Sequence, residues 1–251
     1  MLQWVLMILL PKDAWEIKTT KNKGRGVFAK KDIPAGTVIG DYIGKVIKTA
    51  EENAIEDQYG LYLMYYHDRA SLFPTDPKAP GIHLINHACM PNCWMYTYKG
   101  HTLYFALRHI FAGEELTVAY LLGPDESCDP CTHVCKCDGA VCYKTMHLSE
   151  EQSEKWNKVN DEQTKKTKRK RIKFGQELPL LDKYPKEIAD HPIYSMVGSL
   201  EKPSLILTNK ILPPLLKLRQ LIRESGQTLQ FPALNIKIIG VQNETIISEK
   251  I

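Results

Sequence analysis

The sequence predicts a mainly β body followed by a small α+β domain, and three observations carry that reading. Between Trp15 and Tyr120 the apolar residues come in short runs broken by glycine, proline or asparagine, the spacing of strands joined by turns. Within that span only the stretch after Thr49 opens like a helix. Past Gly175, hydrophobic periodicity returns as strands around one amphipathic helix. The 251 residues are 43% hydrophobic and 25% charged, enough for one large and one small domain of ordinary globular make-up.

Taken in order, Met1–Leu10 is apolar apart from Gln3. Ten residues fall short of the ~20 that span a bilayer, and there is no basic start or small-residue cleavage site. The segment reads as a buried strand or short helix, with a weak membrane or targeting role as the alternative. Trp15–Thr20 alternates as a half-buried strand, Lys21–Gly26 turns, and Val27–Ala29 resumes extended structure. Val38–Ile47 reads as one strand. Thr49 caps a short helix to about Asp57, with Glu52 three residues on. Leu61–Tyr66 is a buried strand, and Ser71–Gly81, with three prolines, is loop. Trp94–Tyr98 and Thr102–Ala106 form a hairpin over a three-residue turn, Lys99–His101. Glu115–Tyr120 is a further strand.

Ser149 caps a second helix, polar nearly all round, to about Thr164, of the kind that bridges domains. Beyond it, Tyr194–Gly198 and Leu205–Thr208 read as strands, and Leu215–Glu224 as a helix with prolines at its start and Gly226 at its end. Ile236–Val241 pairs with Thr245–Glu249. The division is 1–14 apolar segment, 15–121 body, 122–148 cysteine-rich tail, 149–174 polar helix and basic linker, and 175–251 α+β domain without a chemical motif.

The net charge of +4 is local. Lys165, Lys166, Lys168, Arg169, Lys170, Arg171 and Lys173 crowd one run, and the rest of the chain is mildly acidic. That run is a solvated linker, a nucleic-acid contact or a nuclear import signal. No aromatic residues interleave it, which argues against single-strand stacking. The seven cysteines are Cys89, Cys93, Cys128, Cys131, Cys135, Cys137 and Cys142. An odd, clustered set without a secretory signal points to metal rather than disulfides.

Two stretches carry the chemistry: Leu84-Ile85-Asn86-His87-Ala88-Cys89-Met90-Pro91-Asn92-Cys93, and Gly113-Glu114-Glu115-Leu116-Thr117-Val118-Ala119-Tyr120. Together they resemble the SET-domain protein-lysine N-methyltransferases, whose corresponding segments cross in a pseudoknot at the active site. Ala88 stands where that family usually has Ser. The resemblance covers about Trp15 to Leu148 and implies a mainly β SET fold, S-adenosylmethionine as methyl donor, and a protein substrate presenting a lysine, such as a histone.

Carried over residue by residue, the resemblance implies Tyr120 and Tyr42 as catalytic tyrosines. Lys23, Gly24, Arg25, Gly26, Val27, Phe28, Asn86, His87 and Tyr120 would hold the cofactor. Cys135-x-Cys137-x4-Cys142 matches the post-SET spacing, in which Cys89 completes a structural zinc site. The rival metal reading is a self-contained finger built on Cys128, Cys131 and two of the later cysteines, with His133 a further candidate. Cys93 reads as a buried thiol. At the two positions where family members use Tyr or Phe to limit methylation, this chain has Met95 and Val118, which implies di- or trimethylation. The rival functions are a non-catalytic SET-like module that binds proteins or chromatin, and a nucleic-acid binder acting through 165–173. The expected location is intracellular: nuclear in a eukaryote, otherwise cytoplasmic or host-directed. No membrane contact is expected.

Overall fold

The computed structural model describes residues 7–124, 131, 133–139, 142–164, 169, 171–188, 205–206, 212, 214–225, 229–242 and 245–250. It is mostly short strands with few helices. Among the described residues the strands make five small sheets.

Residues 7–10 run alongside the body: the Leu9 N–H donates to the Ile39 carbonyl at 2.8 Å, and the Asp41 N–H to that of Met7 at 3.0 Å. Gly40 permits this approach, because a Cβ there would lie 2.4 Å from the Met7 oxygen. β1 (Trp15–Thr19) and β2 (Arg25–Ala29) form an antiparallel hairpin. β3 (Val38–Asp41) and β4 (Lys45–Lys48) replace the single strand expected over Val38–Ile47. The chain breaks at Tyr42–Gly44 because it steps from one sheet to another. Gly44 passes so close to Phe73 that a Cβ would meet its carbonyl at 2.1 Å.

A 3-10 turn over Thr49–Glu51 leads into α1 (Glu52–Tyr59). The cap is one residue earlier than the sequence suggests, with the Lys48 N–H, not that of Thr49, donating to the Glu51 carboxylate at 3.2 Å. β5 (Met64–His67) and β6 (Ala70–Phe73) complete a sheet in the order β4-β6-β5, so the loop expected over Ser71–Gly81 begins only after Phe73. β7 (Asn86–His87) is followed by β8 (Cys93–Tyr98) and β9 (His101–Ala106). These last two pair across a two-residue turn, Tyr98 opposite His101, and not the three-residue turn expected. Lys99 and Gly100 both take positive φ, 48° and 86°, the geometry that matches strand twist in a tight hairpin. β3-β9-β8 is one sheet, and β10 (Thr117–Val118) pairs in parallel with β7.

α2 (Glu150–Thr164) starts at the expected cap, with the Gln152 N–H donating to the Ser149 hydroxyl at 3.2 Å and the Ser149 N–H to the Gln152 side chain at 3.0 Å. Residues 176–188, grouped by sequence with the C-terminal part, pack on the SET-like body instead. Leu178 lies in its core, Ile188 in its second cluster, and the Tyr184 hydroxyl donates to buried Asp41 at 2.9 Å. β11 (Leu205–Ile206), α3 (Leu215–Ser225), β12 (Leu229–Phe231), β13 (Ile236–Gln242) and β14 (Thr245–Lys250) follow. The four strands form one sheet, and Leu218 and Leu221 of α3 pack with Leu229, Phe231 and Ile238 in a core of their own. The expected strand at Tyr194–Gly198 lies outside the described residues.

Candidate active site

The two motif stretches interlock. β7 and β10 pair Asn86 with Thr117 and His87 with Val118, and the Ala88 N–H donates to the Val118 carbonyl at 3.1 Å. Buried Asn92 is the pin. Its amide donates to the Glu115 carbonyl at 2.8 Å, its side-chain oxygen accepts from the Thr117 N–H at 2.8 Å, and its own carbonyl accepts from Leu107. Pulling either strand out would orphan these buried groups, each worth roughly 1–3 kcal/mol. Cys93 beside it is fully buried, its thiol pushed up to about 12 by burial, an unreactive core residue.

Tyr120 leaves the crossing between two clefts. One, of about 250 Å³, is lined by Lys23, Arg25, Tyr62, Asn86, His87 and Tyr120, among others. The other, of about 560 Å³, has Tyr42, Tyr104, Tyr120, Ile85, Met95 and Val118 in its wall. The Tyr120 hydroxyl reaches the Ile85 carbonyl at 3.4 Å, and its backbone N–H donates to His87 Nδ1 at 3.2 Å. That leaves Nε2 of His87 as the protonated nitrogen, 3.6 Å from Cys89 Sγ. Burial, with the Lys23 charge second, lowers the His87 pKa to about 4, so the ring is neutral. The Tyr42 hydroxyl donates to the Tyr62 carbonyl at 2.6 Å. Burial raises the Tyr42, Tyr104 and Tyr120 phenols above their ordinary value, so all three stay protonated at neutral pH.

The glycine turn is held against this crossing from below. The Asn86 amide donates to the Arg25 carbonyl and to the Glu115 carboxylate, each at 2.9 Å, and Lys23 pairs with Glu115 at 2.7 Å, largely buried. Gly26 sits inside this cluster, and a Cβ there would lie 2.7 Å from Glu115 Oε1. Gly24 instead supplies a φ of +72°. Of the residues expected to hold a cofactor, Lys23, Arg25, Asn86, His87 and Tyr120 line the smaller cleft. Gly24, Gly26, Val27 and Phe28 are not among its lining residues. Val27 is core, and Phe28 lies under the Lys18 ammonium.

The sulfur atoms of Cys89, Cys135, Cys137 and Cys142 lie within 4.8 Å of one another. Cys89 and Cys135 are 3.5 Å apart, against about 3.8 Å for thiolates on a tetrahedral zinc. The Tyr143 N–H points at Cys89 Sγ and that of Lys144 at Cys142 Sγ. The donor set therefore fits a structural zinc. The rival finger is not assembled this way: Cys131 and His133 stand apart from these four, and Cys128 lies outside the described residues.

Several lining residues escaped the sequence reading. Tyr104 faces the larger cleft because the two-residue turn sets it opposite Met95. Glu115 and Asn92 were inside the motifs, but nothing in their spacing reveals that they hold the crossing. Arg169, counted in the basic run, is not a free surface cation. Its guanidinium donates to the Gly100 carbonyl and the Thr102 hydroxyl at 3.3 and 3.1 Å, lies over the Tyr66 ring, and lines the larger cleft. Lys165–Lys168 and Lys170 lie outside the described residues. Among the described residues no helix is long and apolar enough to cross a membrane.

Comparison with known proteins agrees with this geometry. Residues 24–121 match the SET domain family. Su(var)3-9 of Drosophila pseudoobscura pseudoobscura, a histone-lysine N-methyltransferase, is 32% identical over 152 residues, 51% of this chain and 24% of that protein. Human histone-lysine N-methyltransferase 2B is 29% identical over 145 residues, 54% of this chain and 5% of its own. The mouse enzyme named as H3 lysine-36 specific is 30% identical over 168 residues, 62% of this chain and 6% of its own. The chain thus spans at most about a quarter of the length of these relatives. The likeness to the SET domain family lies in residues 24–121.

Proposed function

We propose that this protein transfers methyl groups from S-adenosylmethionine to lysine side chains of a protein substrate, with histones the first to test. One observation carries the reading: Tyr120 lines two clefts, one with Lys23, Asn86 and His87 beside it and the other with the rings of Tyr42, Tyr96 and Tyr104. Methyl transfer is an in-line displacement that needs a donor and an acceptor aligned on either side of one point.

Bound S-adenosylmethionine supplies the electrophilic methyl carbon. Lys23, Arg25, Asn86 and His87 line the cleft assigned to it, and the chemistry of that set fits. The Lys23 ammonium suits the carboxylate end, while Tyr62 and Tyr120 offer aromatic surface. Asn86 acts by holding the Arg25 backbone in place, since its amide is already committed. In the larger cleft, burial among Tyr42, Tyr104, Ile85 and Val118 disfavours an ammonium, so the substrate lysine loses its proton more readily there. Neither tyrosine is the base that takes it, because burial keeps both phenols protonated. The Tyr42 hydroxyl donates its hydrogen bond to the Tyr62 carbonyl, which leaves its oxygen lone pairs to accept from the amine. Tyr120 lines both clefts, and its hydroxyl orients the acceptor.

A zinc on Cys89, Cys135, Cys137 and Cys142 ties the tail to the crossing, and Val134, Lys136 and Met146 of that tail line the smaller cleft. A histone-directed activity would place the protein in the nucleus of a eukaryotic cell. Incubation with labelled S-adenosylmethionine and a panel of histones and lysate proteins tests the reading. Label on a lysine-bearing protein supports it, and failure to bind the cofactor removes it.

A further inference from the structure

A second cluster of metal-binding side chains lies in the tail, and the function proposed above does not use it. Cys131, His133 and His147 offer a sulfur and two ring nitrogens, all within 4.8 Å of one another. They share no residue with the four-cysteine cluster. His133 and His147 come from opposite sides of a small irregular hairpin, in which Val134 bridges Thr145 and the Met146 N–H donates to the His133 carbonyl at 3.0 Å.

The two rings meet nitrogen to nitrogen. His133 Nδ1 and His147 Nε2 are 3.0 Å apart, with the rings at 66°. Two nitrogens on one tetrahedral zinc sit about 3.3 Å apart, so a shift of a few tenths of an ångström lets both lone pairs converge on an ion. The second observation is on the far side of His147. Its Nδ1 lies 2.7 Å from the Gly123 carbonyl, which puts the proton on Nδ1 and leaves Nε2 with its lone pair facing His133 and Cys131. An outer hydrogen bond of this kind fixes the tautomer a metal requires. One thiolate and two imidazoles suit zinc better than a hard cation.

We propose that Cys131, His133 and His147 bind a second zinc ion. On binding, the Cys131 thiol gives its proton to solvent, both imidazoles coordinate neutral, and one coordination position is left for water or a further side chain. The placement gives the site a purpose. Residue 147 also bridges Leu122, and the Leu148 N–H donates to the Leu122 carbonyl at 2.8 Å. Leu122, Gly123 and Leu148 line the larger cleft, while Val134 and Met146 line the smaller one. The second ion therefore fastens the tail where the chain leaves Tyr120, as the four-cysteine site fastens it at Cys89.

The experiment is metal analysis of the full chain by plasma mass spectrometry, with cobalt titration of the stripped protein. The expected result is about two zinc ions per chain, falling to about one in His147→Ala and to about one in Cys89→Ser. Cys89→Ser protein refilled with cobalt should keep the visible bands of a tetrahedral site with weak single-thiolate charge transfer, and Cys131→Ser in that background should abolish them. The wild-type titration decides the matter even if a variant fails to fold. Saturation at about one equivalent, with only the spectrum of a four-thiolate site, would mean that His133 and His147 are a hydrogen-bonded pair and overturn the proposal. Because the two sites share no ligand, loss of the four-cysteine reading would show separately, as unchanged metal content in Cys89→Ser.

Discussion

At the scale of single residues, the hydroxyl of Tyr120 can be removed with little structural consequence. Its bond to the Ile85 carbonyl is long, 3.4 Å, so Tyr120→Phe should cost stability no more than about 1 kcal/mol. Loss of a group that acts only on the reacting centre should lower kcat by about 10²–10³-fold. Wild-type-like turnover of a folded Tyr120→Phe protein would take Tyr120 out of the mechanism. The number of methyl groups added is a second matter at this scale. Met95 and Val118 bring no hydroxyl to the larger cleft, and Met is flexible, so the wall can yield to a methylated lysine. The product is expected to reach di- or trimethyl-lysine. Tyr96 and Tyr104 line the same cleft, and Tyr98 does not. If mass spectrometry at long times with excess cofactor finds the product stalled at one methyl group, the expectation fails, and Tyr104→Phe becomes the next variant to measure.

At the scale of elements, the glycine turn shows how a weak sequence signal becomes a definite structural demand. Gly24 and Gly26 look alike in the sequence but are needed for different reasons. At Gly24 there is open space and a φ of +72°, so Gly24→Ala should cost about 1 kcal/mol and leave cofactor affinity largely intact. At Gly26 a Cβ would press on Glu115, Asn86 and Thr20 together. Gly26→Ala should therefore cost about 1–3 kcal/mol and weaken cofactor binding at least about tenfold, by pushing Asn86 off the Arg25 carbonyl. Calorimetric titration of both variants checks the contrast, and equal affinities would refute it. The same scale shows what the sequence could not fix. The motifs located the crossing because their chemistry is local. A hairpin's register, however, depends on the turn, and a two-residue turn in place of three moves Met95 from opposite Phe105 to opposite Tyr104. The break at Gly44 is set by Phe73, far away in sequence, and the arrival of Arg169 over Tyr66 by a fold no local window contains.

At the scale of the whole molecule, the site is held together by segments that are distant in the chain. The tail closes on Cys89, and residues 176–188 return to bury Leu178 and to place Tyr184 on Asp41. Stripping metal with a chelator should loosen the tail and lower cofactor affinity while leaving β3, β8 and β9 folded. Hydrogen exchange would show this as deprotection confined to the tail and the smaller cleft; uniform deprotection would mean the metal holds the entire fold. Acid should act elsewhere. His83 is buried, its Nε2 lies 3.2 Å from the Pro77 carbonyl, its ring stands edge-on to Tyr62, and its Nδ1 has no partner. Burial lowers its pKa to about 4, with the Arg25 charge adding to the effect while Pro77 and Asp76 oppose it. Above pH about 6.5 the ring is neutral whether the chain is folded or not, and stability does not depend on it. As the pH falls from there toward 4, the unfolded chain takes up a proton that the folded one refuses. Stability is lost across that window, by up to roughly 3 kcal/mol for this one group, and the loss is complete below it. Urea unfolding at pH 7, 5.5 and 4.5 measures the slope. His83→Gln, which cannot titrate, should flatten this limb, and an identical slope in the variant would assign the acid sensitivity to other groups.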